Sequence, residues 1–220
     1  MKKVITLVVM MTFACVSSMQ AVTWWNKGKD PLRYQTSLGL GATSVGPGDE
    51  DFGWGVTVTA DYPIVNSLRL QPGVRFATYH STYEENMSLM GSGINRKDKF
   101  TVSYLQIPMK VAYSLYFNEK VRFNVSTGFY YAMGLFGSLK VDVDGDSGIT
   151  GGGDMKLWDC IDRSDFGYIL GWSLTIKDRY SLGVEVCNSF FDVSKSGDAD
   201  WHNSSLMVQL GYTFRLLSEA

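Results

Sequence analysis

No apolar stretch of this chain is long enough to cross a bilayer as a helix. The best candidate, residues 4–14, falls well short of the roughly 20 residues a helical span needs. If the chain enters a membrane, it must do so as a closed barrel whose backbone groups are all paired between strands. Proline is scarce at 5 residues, so long strands can run uninterrupted. Histidine is scarcer still, and any imidazole chemistry has only His80 and His202 to draw on. Neither sign of charge dominates, and a formal net charge of -2 provides no global field for nucleic acid.

The N-terminus reads as an export signal. Lys2 and Lys3 precede the apolar stretch, and small or polar residues follow up to Ala21. Residues 1–21 are expected to be a signal peptide, with cleavage after Ser18 as the alternative. A lipoprotein reading of Cys15 fits poorly, because Thr12 and Phe13 are unlike the residues that precede an acylated cysteine. Residues 22–32 then form a periplasmic segment, anchored at the interface by Trp24 and Trp25. Residues 33–220 form one barrel domain. Cys160 and Cys187 remain after processing, in an oxidising compartment. A turn at residues 177–179 sets Cys187 opposite about residue 169, so a disulfide, which tolerates roughly 7 Å between Cα atoms, reaches Cys160 only if the intervening loop folds back.

What the chain has in abundance is alternation. Leu206, Val208, Leu210, Tyr212, Phe214 and Leu216 alternate with Met207, Gln209, Gly211, Thr213 and Arg215, a period of two that marks a strand. The pattern recurs in eight segments, at about 33–44, 53–62, 67–79, 100–115, 121–137, 165–176, 180–191 and 205–216. It slips near Tyr104, where a bulge is expected, and Tyr130 and Ile169 break the polar rows. Links two, four and six are short, and the others are long and rich in Gly, Asp, Ser and Asn. This rhythm predicts an all-β, eight-stranded antiparallel up-and-down transmembrane β-barrel with both chain ends on the short-turn, periplasmic side.

A soluble carrier barrel would also alternate, but with its apolar row inside. Here the apolar row is bulky and the opposite row is crowded with Gly, Ser, Thr and Ala, which suits a narrow lumen. Aromatic residues near the short turns (Tyr62, Tyr113, Phe117, Tyr180, Tyr212 and Phe214) and at the other end (Trp54, Phe76 and Phe166) suit two interfacial girdles. Arg69, Arg75, Lys110, Arg122 and Arg215 lie in the polar row with Asp61 and Glu185. Because buried charge needs a partner, the two acids are expected to meet these cations. The network is then a structural plug or, in a sharper reading, a narrow anion-preferring conduit.

Candidate chemistry is thin. His80 or His202 with Ser81 or Ser204 and Asp200 would make a nucleophile-activating set, but no motif fixes the serine, and solvated loop polarity accounts for them better. Asp142, Asp144 and Asp146 faintly suggest a calcium loop, yet position twelve is Gly153 and no helices flank it. No catalytic, cofactor-binding or metal residue is assigned, and the chain is read as a non-enzyme.

The run Tyr104, Leu105, Gln106, Ile107, Pro108, Met109 and Lys110, followed by Tyr113, resembles the Y-L-x-I-P signature of small Bacteroidetes-type outer-membrane β-barrel proteins, the PorT-like or outer membrane protein β-barrel domain family. The resemblance implies the outer membrane of a Gram-negative bacterium. It also implies, for one branch, work beside a protein-secretion apparatus. Pro108 is expected to face the lumen, where a bulge or kink would suit it. The function expected is structural or surface-interacting, in a monomer surrounded by outer-membrane lipid, with envelope or secretion proteins as partners and no nucleic acid. The alternatives are a lipid-modifying outer-membrane enzyme and an accessory subunit of a secretion machine.

Overall fold

The structure, a computed structural model, describes residues 32–65, 67–89, 92–118, 121–145, 150–195 and 201–215. The expected signal peptide, the segment with Trp24 and Trp25, Asp146 and Asp200 lie outside these, as does the side chain of Arg215. Nine strands form one antiparallel sheet: β1 (Arg33–Val45), β2 (Asp49–Val65), β3 (Leu68–Leu89), β4 (Ser92–Asn118), β5 (Val121–Gly145), β6 (Thr150–Met155), β7 (Ser164–Ile176), β8 (Tyr180–Ser189) and β9 (Asn203–Arg215). A single helical turn, α1 (Leu157–Cys160), lies between β6 and β7.

Eight of the strands close a ring, in which β1 pairs with both β2 and β9 while β5 pairs with both β4 and β7. The closing seam sets Leu38 opposite Leu210 and Tyr34 opposite Phe214. Alternation decides which side each residue takes. Along β9, Leu206, Val208 and Leu210 are exposed on the outer surface, whereas Met207 is only 1 % exposed and faces inward. Small residues on the inward row let the strands approach. At Gly41 a Cβ would stand 2.0 Å from the carbonyl oxygen of Leu206, so even alanine would push the seam apart. The tight β7–β8 turn places Lys177 and Asp178 at φ 52 and 55, a left-handed pair that matches hairpin twist. Arg33 Nη1 donates to Asp178 Oδ1 at 2.8 Å and ties that turn to the start of β1.

The expected slip at Tyr104 is a bulge in β5. Ser103 pairs with Phe136 and Tyr104 with Gly134, leaving Leu135 over. Register runs unbroken past Pro108, which is buried and inward as expected. Tyr62, assigned to a girdle, is instead buried.

The larger departure is length. β3, β4 and β5 continue past the expected strands as paired hairpins, with Glu84 opposite Lys97 and Lys97 opposite Asp142. The ninth strand, β6, pairs with the outer part of β5. The upper parts of β3 to β6 thus make a four-stranded sheet standing beyond the ring. Eight further residues at about 3.3 Å each carry β4 roughly 25 Å along its own direction.

Candidate functional site

The inside of the ring is stacked in layers. Nearest the short turns, Asp61 Oδ1 accepts from Arg69 Nε at 2.8 Å and from Gln71 Nε2 at 3.0 Å, and Arg122 Nη2 lies 3.5 Å from Asp61 Oδ2. One layer out, Glu185 Oε1 accepts from Arg75 and Oε2 from Lys110 Nζ at 2.8 Å. Arg75 Nε also donates to Thr57 Oγ1 at 2.9 Å. The two acids singled out in the sequence thus each hold two cations. The inward placement follows from the period of two, and the pairing follows from the cost of leaving any of these charges alone.

The third layer is made of rings. Tyr79 and Tyr104 meet edge to face at 5.7 Å, and Gln106 Nε2 donates to the Tyr79 hydroxyl at 3.1 Å. Tyr130 Oη and Asn203 Nδ2 both donate to Asp165 Oδ2 at 3.0 Å. Tyr130 and Ile169, which break the polar rows in sequence, therefore belong to this inner packing. Above it lies an apolar lid. Leu157 and Ile161, from and beside α1, pack with Val45, Phe100, Leu139 and Trp201. Trp158 lies across β5 at Gly134, where a Cβ would meet its ring at 2.0 Å. Lid residues fall in segments without periodicity, and nothing in the sequence distinguished them from loop.

The outer sheet presents charge. Lys97 is ion-paired with Glu84, and Lys99 Nζ reaches Asp142 Oδ2 at 3.2 Å. The hydrogen bond and charge of Lys97 hold the Glu84 carboxyl below its usual range, and Glu84 raises the Lys97 ammonium in return. Both are in open solvent, so the pair contributes little stability. A polar groove lies here, bordered by Glu84, Asn86, Asn95, Lys97, Asp142 and Gly151.

Among the described residues, the candidates His80 and Ser81 do not assemble. His80 Nδ1 bonds to the Phe52 carbonyl at 2.7 Å, while the neighbouring Ser81 points inward and donates to the Val45 carbonyl at 3.2 Å. Consecutive strand residues face opposite ways, so this His and Ser cannot meet. His202 is exposed. Asp142 and Asp144 lie in β5 rather than in a loop, and Asp142 engages Lys99. Among the described residues no cluster of metal-ligating side chains occurs. Cys160 and Cys187 are both free thiols, the latter buried in the lumen.

Residues 6–214 match the family model of the outer membrane protein beta-barrel domain. The chain belongs to that family. The outer membrane β-barrel architecture and its place in a Gram-negative outer membrane follow. No curated protein matches the chain. Among solved structures, Ail of Yersinia pestis, crystallised with the heparin analogue sucrose octasulfate, is 17% identical with a TM-score of 0.41, over 84% of this chain and 100% of that one. Neisserial surface protein A is 12% identical with a TM-score of 0.47, over 86% and 100%. The outer membrane enzyme PagL is 13% identical with a TM-score of 0.38, over 83% and 99%. At this distance neither binding nor catalysis carries over from them to this outer-membrane barrel.

Proposed function

We propose that this outer-membrane barrel is a monomeric surface-interaction protein, neither a channel nor an enzyme, whose contact surface is the outer sheet of β3 to β6. The observation that carries this reading is the continuation of three barrel strands beyond the apolar wall into a solvated, charged sheet. Strands built only to span lipid need roughly 9–11 residues, and β4 has 27. The filled lumen supports a structural interior, since tyrosines and an apolar lid occupy its outer half. The separation of His80 from Ser81 speaks against a hydrolase. The Y-L-x-I-P run alternates between lumen and wall, with Tyr104, Gln106, Pro108 and Lys110 buried inside. It therefore supports a folding role for that motif better than a docking role in secretion.

Photo-crosslinking on intact cells tests this. A photoreactive residue at exposed Asn95 or Asp142 is expected to give a discrete adduct, while one at the outward Leu210 gives lipid adducts only. The proposal fails if neither tip position gives an adduct while the purified protein either releases acyl chains from lipopolysaccharide or passes steady current in a planar bilayer.

A further inference from the structure

The lipid-facing wall is not smooth. Where β1 closes on β9, an apolar groove of about 530 Å³ opens on the outer surface, bordered by Thr36, Leu38, Val56, Ile176, Tyr180 and Leu182. That volume lies within the roughly 300–1,000 Å³ of ligand sites. Strand register explains the groove. One outward rung runs Ile176, Tyr180, Tyr212, Thr36 and Val58 across five strands, and the next runs Leu182, Leu210, Leu38 and Val56. The rings of Tyr180 and Tyr212 pack on each other edge to face at 5.6 Å. Thr36 is a short side chain between those rings and Leu38, so the wall dips there.

One end of the groove is charged. Ile176 and Tyr180 flank the β7–β8 turn, and Lys177 and Arg179 on that turn are both exposed. The acid between them does not neutralise them, because the Asp178 carboxylate is taken by Arg33 at 2.8 Å. Among the described residues neither Lys177 nor Arg179 is ion-paired. An apolar furrow that ends at two cations has the polarity of an anionic lipid, with the acyl chain along the wall and the phosphate at the turn. Cations at a membrane surface attract acidic lipid, and their stems can lie on apolar surface while the charged heads reach the interface.

Lipid also continues an interface the barrel already has, since its wall lies in an outer membrane. A second copy of the chain fits worse. Copies in one membrane share an orientation, so a twofold pair meeting at this groove would bring two Lys177 and two Arg179 to one edge.

We propose that this groove is a binding site for one anionic phospholipid, its acyl chain lying over Thr36 and its phosphate held by Lys177 and Arg179. Phospholipid is named over lipopolysaccharide as the source because the short turns are expected on the periplasmic side.

The test uses the full-length protein in micelles of an uncharged detergent, with phosphatidylglycerol, phosphatidylethanolamine and lipid A as probes and native mass spectrometry as the readout. One phosphatidylglycerol is expected to stay bound, roughly thirtyfold more tightly than phosphatidylethanolamine, since each of two cations favours acidic lipid about fivefold. Lys177→Gln combined with Arg179→Gln is expected to erase that preference. Thr36→Trp fills the groove and is expected to weaken both phospholipids, whereas Lys97→Gln on the outer sheet changes neither. Phosphatidylglycerol with a photoreactive acyl chain is expected to mark residues 36–38 and 180–182 of the native chain above the rest of the wall. This readout needs no variant, so it decides the matter even if one does not fold. Equal retention of the two phospholipids, preference for lipid A, label spread evenly round the wall, or a dimer that Thr36→Trp dissolves overturns the proposal.

Discussion

Replacing Glu185 by glutamine keeps the side chain's shape and removes the charge that Arg75 and Lys110 share. Each of these contacts is a charge-assisted hydrogen bond between buried groups, and such bonds contribute about 1.5–3 kcal/mol each. Removing one partner of a buried pair costs about 3–5 kcal/mol, because the other charge stays behind. Two features moderate the loss. Arg75 keeps Thr57, and Lys110 borders a cavity through which solvent can reach it. The expected loss is therefore about 3 kcal/mol, or roughly a hundredfold in the unfolding constant. Urea unfolding of the barrel in lipid vesicles, followed by tryptophan fluorescence, measures it. Lys110→Met serves as the control and should cost less, since Glu185 still holds Arg75. A loss under about 0.5 kcal/mol for Glu185→Gln, typical of an ordinary surface change, would refute the network.

Three further outcomes are expected. Gly134→Ala drives a methyl into the ring of Trp158, so the lid should loosen and acrylamide should quench a fluorescence component that is missing in a Trp158→Phe background. Unchanged quenching would mean that Trp158 does not rest on β5. In the native state a maleimide should label half-exposed Cys160 and spare buried Cys187 until the barrel is unfolded, and native labelling of both would show an open lumen. Tyr130→Phe removes one of the two donors to Asp165 Oδ2 and should cost about 1–3 kcal/mol; an unaltered urea midpoint would argue that this bond is absent.

The eight ring strands were legible because each exposes one row to lipid and turns the other inward, so composition repeats with period two. The same physics made the pairings of Asp61 and Glu185 legible, since an inward charge has few places to go. The outer hairpins were not. Once β3 and β4 leave the wall, water bathes them, and residues such as Glu84, Asn86, Lys97 and Lys99 are polar without any need to alternate. Their signal is cross-strand, Glu84 opposite Lys97, and a linear reading does not see it. β6 was hidden for a related reason, since its three glycines resemble a loop. The lid was hidden because Leu157 and Ile161 share one short turn with no period to mark it, and Trp201, far from them in sequence, meets them only when the ring closes.

In this barrel the bulky row faces lipid and the small and polar row faces a filled lumen. Spin labels placed singly at residues 206–210 of β9 test it most directly, by their collision with oxygen, which concentrates in lipid, and with a water-soluble nickel chelate. High oxygen accessibility is predicted at Leu206, Val208 and Leu210, with low accessibility to both reagents at Met207 and Gln209. The reverse alternation, or strong nickel access at Met207 and Gln209, would contradict the account.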